Sequence, residues 1–417
     1  MIFLLSLAII TTICPTVSAE SELLQVFTVF RHGARAPVEN FSSDESKAYF
    51  FRGAGQLTDQ GVEQAKLVGQ IMRERYINTG FLDSRMLPTE VYFRSSPVPR
   101  CLMTIEKVAS SMYPDATPAI LTADGKDNDF LCWPRMDCDF LLEEYRKEFN
   151  LNDSEVLGAK KRIWEISGRA LIRAALNTTH LKDKPFNLIP ALLLEKEVGL
   201  AVPAWFDDEA YEEAETVFYN ALAVMSGVGP YYSEDSIKVK SGLLLHTILS
   251  QINRTVECHP NCGPIPKFLA FSTHDILVLS LLEALGIREV ALGVDRAPEF
   301  CAAVIIELWK INGEMKVKVL YRKKPSERDL VILSGNVRNC ESGSSEFCNW
   351  DRFTSCCDNF ITLDPKGMCY AKPSGEWNVN TLSIVLFALC VCCLVAISIL
   401  MVFVLRYKTG RTLNFKC

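Results

Sequence analysis

The fold of this 417-residue chain is indicated by one stretch, residues 23–37, which reads LLQVFTVFRHGARAP. Its first eight residues are mostly apolar and rich in valine and phenylalanine, which predicts a buried β-strand. Two arginines and one histidine follow the strand within five positions: Arg31, His32 and Arg35. Ligands of open α/β sheets bind beyond the carboxyl ends of the strands, so these side chains are candidates for a functional site.

Helices and strands alternate in the sequence that follows. The segment TDQGVEQAKLVGQIMRERY (58–76) places apolar residues at steps of three and four, which predicts an amphipathic helix capped by Thr58 or Asp59. EVYFRSS (90–96) predicts a second short strand, and RCLMTIEKVASSMY (100–113) predicts a second amphipathic helix. This alternation is typical of an α/β fold in which helices cover a parallel sheet.

The middle of the chain has a different pattern. Residues 126–239 are mostly helical in character, as in AKKRIWEISGRALIRAAL (159–176), so we expect an inserted helical cap domain. The α/β pattern then returns with the strand KFLAFST between two helices, followed by two strands joined around Asn312-Gly313. An Asn-Gly pair tolerates positive φ and indicates a β-hairpin. We therefore expect a split α/β catalytic domain, residues 20–125 and 240–335.

Both ends of the chain are apolar. Residues 1–19 end in a small-x-small pattern and predict a signal peptide; the shortness of the run and Pro15 disfavour the alternative, a first transmembrane helix. Residues 381–405 contain no charge across 25 positions, which predicts a transmembrane helix. Basic residues follow at once in the tail, 406–417, and such residues stay cytoplasmic. We expect a single-pass anchor with a lumenal or extracellular N-terminal body.

Cysteine content and charge limit the classes of protein. Eleven of the 16 cysteines lie between the apolar ends, where an oxidising space would let them pair, although their number is odd. For the Cys-rich juxtamembrane segment, 336–380, we favour a disulfide-stapled stalk over a zinc site, because no histidine interleaves with its cysteines. In CHPNC (258–262) a small disulfide loop is likewise favoured over a metal site. The net charge of −6 does not indicate a protein that binds nucleic acid. Four sequons predict surface glycans at Asn40, Asn152, Asn177 and Asn253.

Three polar clusters each follow directly on a predicted strand. They are, in chain order, Arg31 with His32 and Arg35, Arg94 with Arg100, and His274 with Asp275. Because the carboxyl ends of parallel strands meet at one edge of a sheet, we expect these distant clusters to converge on one site.

The residue types at this edge favour phosphoryl transfer. Several guanidinium groups repel each other unless an anion lies between them, and their planar forks match phosphate oxygens. A histidine between them can attack phosphorus while its imidazole is neutral, and nearby positive charge lowers its pKa. The arginines would stabilise the transferring phosphoryl group, and Asp275 would protonate the departing oxygen. This scheme requires no metal ion and no cofactor.

The same residues carry a resemblance to a known family. RHGARAP resembles the RHGxRxP signature of the histidine acid phosphatases, and STHD (272–275) resembles the second catalytic motif of that family. GQLTDQGVEQAKLVGQIMRERY and YFRSSPVPRCLMT are similar to the family segments between the two motifs. The resemblance runs from about residue 23 to 370. It is to the prostatic and lysosomal acid phosphatase branch, including its membrane-anchored forms.

The resemblance implies a role for each site residue. His32 resembles the nucleophile that becomes phosphohistidine, and Asp275 resembles the proton donor to the leaving group. The remaining matches are to phosphate-binding residues: Arg31, Arg35, Arg100 and His274. The family segment around Arg100 usually carries two aspartates, and here Pro97 and Pro99 stand in their places.

The resemblance also implies a fold and an activity. The family fold is α/β, a mostly parallel sheet flanked by helices as in phosphoglycerate mutases, with an inserted helical cap. Its members hydrolyse phosphate monoesters at acidic pH, and homodimers are common. By resemblance Cys132 pairs with Cys369 and Cys340 with Cys348, whereas Cys301 matches a family cysteine whose cap partner is missing here.

Two alternatives to an acid phosphatase stay open at this point. One is a phytase-like phosphatase, although the net acidic balance does not favour the basic cleft that inositol polyphosphates require. The other is a non-catalytic membrane receptor on the same fold, for which the two prolines and the odd cysteine count argue. Lysosome and cell surface are both compatible with the predicted topology.

Overall fold

A mixed β-sheet of eight strands forms the centre of the protein in a computed structural model of the chain. The structure describes residues 21–38, 40–134, 138, 180–181, 184, 188–340, 345–370 and 379–408. The strands are β1 Ser21–Arg31, β2 Val91–Ser95, β3 Ile120–Leu121, β4 Phe268–Thr273, β5 Ala303–Ile311, β6 Glu314–Arg322, β7 Val331–Ile332 and β8 Cys348–Asn349. Their order is β3-β2-β4-β1-β5-β6-β7, and β8 pairs with β6.

The sheet has a parallel half and an antiparallel half. Strands β3, β2, β4 and β1 run parallel, and β5 joins β1 in antiparallel pairing before the sheet continues as hairpins. Asn312 and Gly313, with φ of 51° and 87°, form the turn between β5 and β6, as the sequence predicted. The predicted α/β fold is confirmed, and its parallel part is limited to four strands, of which β1, β2 and β4 lead to the candidate site.

Helices cover both faces of the sheet. The helices of the body in the described residues are α1 Asp44–Tyr49, α2 Asp59–Met72, α3 Pro99–Met112, α4 Ile189–Glu197, α5 Asp208–Ser226, α6 Glu234–Ile237, α7 Leu243–Cys258, α8 Asp275–Ala284, α9 Arg288–Leu292, α10 Trp350–Thr354 and α11 Pro365–Tyr370. A further helix, α12 Val379–Lys408, lies outside the body. A π-helical turn, Arg73–Ile77, extends α2, whose N-cap is Thr58 as predicted.

Strand β1 is buried on both faces, which explains its nearly continuous apolar sequence. Val26 and Phe30 point into a core formed with α2 and α3, and Phe27 and Val29 into a second core formed with α5, α7 and α8. Successive side chains of a strand point to opposite faces, so one run of residues supplies both cores. Burying one such side chain contributes about 1.5–3 kcal/mol, so β1 is fixed tightly at the centre of the sheet.

Part of the predicted helical cap is described. Helices α4 and α5 pack through their own small core, which includes Ile189, Leu192, Phe206 and Ala210. The helical pattern at 159–176 lies outside the described residues, as do the predicted signal peptide, the sequons at Asn152 and Asn177, and 409–417 of the tail. Asn253 is exposed and Asn40 is half-buried.

The disulfides differ in part from those that the resemblance implied. Cys340 pairs with Cys348, as implied, and Cys258 with Cys262. Cys369 pairs with Cys138 rather than with Cys132, so that pairing was wrong. Cys138 and Cys369 lie together beside Val239, whereas Cys132 is held in the main core, where Thr273 Oγ1 donates to its carbonyl oxygen. A fourth disulfide joins the neighbouring residues Cys356 and Cys357.

The C-terminal helix α12 belongs to a unit separate from the body, which ends at Cys369. The structure describes the side chains of α12 at 386–387, 389–405 and 408. Over the residues that it describes, no helix is both long enough and apolar enough to cross a membrane. The predicted transmembrane helix at 381–405 is therefore not confirmed.

Candidate active site

The loop after β1 is fixed by both neighbouring strands and by two helices. The backbone N–H of His32 donates to the carbonyl of Thr273 at the end of β4, at 3.0 Å. Gln64 of α2 accepts from the N–H of Ala34, and Thr104 of α3 accepts from that of Gly33, at 2.8 and 3.1 Å. A Cβ on Gly33 would lie 2.5 Å from the backbone oxygen of Gly61, so only glycine allows this approach.

Two other strand ends supply the remaining predicted residues. Arg100 lies in the first turn of α3, which follows β2, and Asp275 begins α8 directly after β4, with His274 as the N-cap. Pro99 occupies the first position of α3, where a helix needs no backbone N–H, so this departure from the family pattern does not disturb the helix. The ends of β1, β2 and β4 thus converge on one site, as the sequence predicted.

His32 is buried, and its ring presents one nitrogen to the site. Its Nδ1 lies 2.9 Å from the carbonyl oxygen of Gly33. A carbonyl oxygen can only accept, so Nδ1 carries the hydrogen and donates it. The other nitrogen, Nε2, therefore holds a free electron pair, which is the form that a nucleophilic imidazole requires.

His274 is oriented by partners of opposite kind. Arg100 Nη2 lies 3.3 Å from its Nδ1, and because a guanidinium only donates, Nδ1 is the acceptor. Its Nε2 then donates to Ser96 Oγ at 3.0 Å. The ring of His274 lies edge-on to that of His32, with centroids 5.6 Å apart. His274 therefore links Arg100 to the nucleophile.

Arg31 connects the nucleophile loop with the candidate proton donor. Its Nη2 lies 2.9 Å from Asp275 Oδ2, its Nη1 donates to the carbonyl of Pro298 at 2.6 Å, and its guanidinium covers the ring of Phe300 at 4.1 Å. Arg35 Nη1 donates to the carbonyl of Ala36 at 3.0 Å.

Three buried N–H groups in the site lack a partner. Within the described residues, the Nε–H groups of Arg31, Arg35 and Arg100 form no hydrogen bond. Leaving a buried donor unsatisfied costs about 1–3 kcal/mol, and more for charged groups. Three cationic donors in this condition at one place indicate a binding site for an anion.

The electrostatics of the site agree with this interpretation. Burial, and then Arg100 and Arg31, hold the pKa of His32 well below its ordinary value, and burial followed by Arg100 does the same for His274. Burial, and then Arg100, lower the pKa of Arg35 to about 9. Both imidazoles are therefore neutral, and an entering anion would relieve the repulsion among the guanidiniums.

One predicted member of the cluster is not part of the site. Arg94 Nη2 forms a buried ion pair with Asp129 Oδ1 at 3.0 Å. Arg94 is paired with Leu121 of β3, and its Nη1 lies 3.5 Å from the carbonyl oxygen of Leu121. The inclusion of Arg94 among the converging residues was therefore wrong.

Several site residues were not predicted. Ser96 contacts His274, Phe300 contacts Arg31, and the half-buried ring of Trp133 lies edge-on to His274 at 4.8 Å between centroids. Only Ser96 had a signal in the sequence, since it is the last residue of the predicted strand 90–96. Among the residues that the structure describes, no three His, Cys, Asp or Glu side chains group as metal ligands would.

This chain is similar to known proteins in sequence and in fold. A family model described as histidine phosphatase superfamily (branch 2) matches residues 22–322. Putative acid phosphatase 1 of Caenorhabditis elegans is 47% identical over 410 residues, which are 96% of this chain and 95% of the relative. Human prostatic acid phosphatase is 25% identical over 85% of this chain and 90% of its own length. Among solved structures, a Hafnia alvei phytase in complex with tartrate has a TM-score of 0.58 at 18% identity, covering 83% of this chain and 98% of the phytase.

Proposed function

We propose that this chain, which belongs to branch 2 of the histidine phosphatase superfamily, is an acid phosphatase that hydrolyses phosphate monoesters through a covalent phosphohistidine. One observation carries the mechanism. A buried imidazole with a free Nε2 electron pair lies among three guanidiniums whose Nε–H groups have no described acceptor, and a carboxylate lies 2.9 Å from one of them.

The phosphate group of the substrate would bind to four side chains: Arg31, Arg35, Arg100 and His274. The three arginines neutralise its charge, and the Nε2–H of His274, which donates to Ser96, would turn to donate to a phosphate oxygen. Since these groups are held by the strand ends, they lose little conformational freedom when the substrate enters. They would stabilise the negative oxygens most strongly as phosphorus passes between donor and acceptor.

The reaction would proceed in two steps. First, Nε2 of His32 forms a bond to phosphorus while the bond to the ester oxygen breaks, and the carboxylic acid of Asp275 gives its proton to that oxygen. The alcohol then leaves. Second, water attacks phosphorus and gives a proton to the carboxylate of Asp275 as the bond to Nε2 breaks. Phosphate is released, and both side chains return to their starting forms.

Replacing the nucleophile tests this mechanism. We expect His32→Ala to lower kcat for an aryl phosphate at least about 1,000-fold, because no other group at the site can form the intermediate. Wild-type protein quenched in acid during turnover should carry phosphate on His32, and the variant should carry none. His246→Ala, which removes a ring whose described hydrogen bond is to Ser250, is the control and should retain full activity. Equal rates for His32→Ala and wild type would refute the mechanism.

The phytase alternative receives less support from the rim of the site. Glu299 is exposed and stands between Pro298 and Phe300, the two residues that contact Arg31. Burial and the charge of Glu299 raise the pKa of Glu197 in α4, whereas Arg31 lowers it. We call the four phosphate-binding side chains, Arg31, Arg35, Arg100 and His274, the cradle. Carboxylates near the cradle would repel a polyanion such as an inositol polyphosphate. The structural likeness to phytases, at under 25% identity, concerns the fold alone.

The location of the protein is part of the proposal. We propose a lumenal or extracellular body, in the lysosome or at the cell surface, because eight of the eleven body cysteines form disulfides. A single-pass anchor rests on the uncharged sequence 381–405, a signal peptide on 1–19, and glycans on the four sequons. A homodimer rests on the family resemblance. Light scattering of the purified chain would measure its mass.

A further inference from the structure

A buried carboxylate outside the reaction connects the cap helices with the site. Glu195 of α4 is fully buried and takes no part in the proposed mechanism. It accepts a hydrogen bond from the backbone N–H of Ser42 at 3.1 Å, and further short ones from the hydroxyls of Ser42 and Ser46. Burying a charge is costly unless hydrogen bonds replace its water, so these three donors define the place of the carboxylate closely.

The donors belong to a segment that returns to the site. Residues 40–57, here called the rim segment, leave the nucleophile loop, form α1 and come back beside it. The N–H of Ala36 donates to Gln56 and that of Gly55 to Pro37, both at 2.8 Å. Arg35 also forms an isolated β-bridge with Leu57. The C-terminal end of the rim segment is therefore attached to the loop that carries a phosphate-binding arginine, Arg35.

The rim segment also lies against a second arginine of the site. A Cβ built on Gly55 would be 3.8 Å from Arg100 Nη1 and 3.9 Å from the Cα of Val38, whose side chain is exposed. The backbone of Gly55, which belongs to the rim segment, thus lies close to the Arg100 guanidinium. A shift of the segment towards or away from the sheet would change the room available to the Arg100 guanidinium.

From this path of contacts we propose that Glu195 is a positioning residue: through Ser42 and Ser46 it holds the rim segment against Arg35 and Arg100 and so fixes the cradle in its phosphate-binding geometry. The inference rests on the proposed function insofar as the cradle binds phosphate. Glu195 itself touches no reacting atom. Its effect should therefore fall on binding, whereas the chemistry of His32 and Asp275, which are held by the sheet, should be preserved.

The test is the affinity for inorganic phosphate, which does not depend on turnover. Glu195→Gln keeps the shape of the side chain but turns an –NH2 group towards donors, which disrupts at least one of the three hydrogen bonds. Loss of one hydrogen bond corresponds to about a five- to tenfold change in an equilibrium constant, here the Kd for phosphate. We expect titration calorimetry of the full chain to show the Kd for phosphate raised by this factor. Hydrogen exchange of the rim segment should be faster, and kcat for an aryl phosphate should stay within about twofold.

A matched carboxylate provides the control. Glu213 of α5 accepts from the backbone N–H groups of His180 and Leu181, all within the predicted cap, at 2.8 and 3.1 Å. Glu213→Gln should leave phosphate affinity and exchange of the rim segment unchanged. If Glu195→Gln does not fold, Ser46→Ala removes one donor and preserves the carboxylate. Ser42 is less suitable because its replacement by alanine also destroys the Asn40 sequon.

The outcomes separate the two proposals. Weaker phosphate binding by Glu195→Gln or Ser46→Ala, with Glu213→Gln unaffected, supports the positioning role even if the protein hydrolyses no ester. Unchanged phosphate affinity overturns it, whatever the exchange rates do. A wild-type chain that binds phosphate but turns over no phosphomonoester would refute the proposed function and leave this inference to be judged by the binding data.

Discussion

At the residue scale, Arg94 and Arg100 show how six positions separate a structural from a functional arginine. Arg94 faces Asp129, and both side chains are nearly excluded from solvent. Burial, the largest effect, raises the pKa of Asp129, while two backbone N–H groups and Arg94 oppose it. Arg100 has no described carboxylate partner, and its Nε–H is unsatisfied. A strand-end position alone does not distinguish the two, because the partner of Arg94 lies 35 residues away.

Because the Arg94–Asp129 ion pair is buried, we predict that neutralising Asp129 greatly lowers the stability of the folded protein. Asp129→Asn retains an oxygen for the N–H groups of Leu131 and Cys132 but leaves the Arg94 charge buried without a counter-ion. We expect the free energy of unfolding to fall by about 3 kcal/mol, measured by urea denaturation. The control is Glu63→Gln, since Glu63 pairs with Lys66 on the surface; its change should stay within about 0.5 kcal/mol. Similar values for the two variants would contradict this assignment.

The residues of the site were predictable to the extent that their position follows from topology. Six side chains lie at or shortly after the ends of strands β1, β2 and β4, and parallel strands bring their carboxyl ends together. Phe300 and Trp133 were not predictable, because their contacts with Arg31 and His274 arise from segments that no local pattern relates to the site. The same holds for Cys138, since a cysteine's neighbours across 231 positions are set by packing.

At the element scale, the long strands and amphipathic helices were predictable, and the short elements were not. Strand β1 and the β5–β6 hairpin have strong local signals in apolar runs and in Asn312-Gly313. Strands β3, β7 and β8 contain two residues each, too few for any periodicity. Such short strands form only because a neighbouring strand already offers its edge.

Because α2 packs closely on α3, we predict that adding a side chain at Gly69 destabilises the folded protein. A Cβ there would lie 2.3 Å from the carbonyl oxygen of Val108 in α3, so the helices would have to separate. Alanine is the better helix former by about 1 kcal/mol, but overpacking costs about 1–3 kcal/mol. We expect Gly69→Ala to lower the urea midpoint. Gly263→Ala, with nothing within 4 Å, is the control and should be neutral or slightly stabilising. An unchanged midpoint for Gly69→Ala would show that the two helices can separate freely.

At the scale of the whole molecule, the site couples activity to stability in acid. His32 and His274 are buried as neutral rings, with pKa values below the ordinary 6.5. The nucleophile thus remains unprotonated in mild acid. The unfolded chain, however, binds protons on both histidines below pH 6.5. The free energy of unfolding therefore decreases as the pH is lowered below this value. Bound phosphate would offset this loss, by about 2.7 kcal/mol at 100 times its Kd.

This coupling can be isolated by removing one titrating ring. In His274→Asn the folded and unfolded chains no longer differ in protonation at this position. Above pH 6.5 the wild type and the variant should therefore differ by a constant free energy of unfolding. Below it, the wild type should lose up to about 1.4 kcal/mol per pH unit relative to the variant, down to the pKa of folded His274. Urea denaturation from pH 8 to 5 in phosphate-free buffer measures both curves. Parallel curves would mean that His274 takes up its proton in the folded state as readily as in the unfolded one, and a charged ring beside Arg100 is incompatible with the cradle described above.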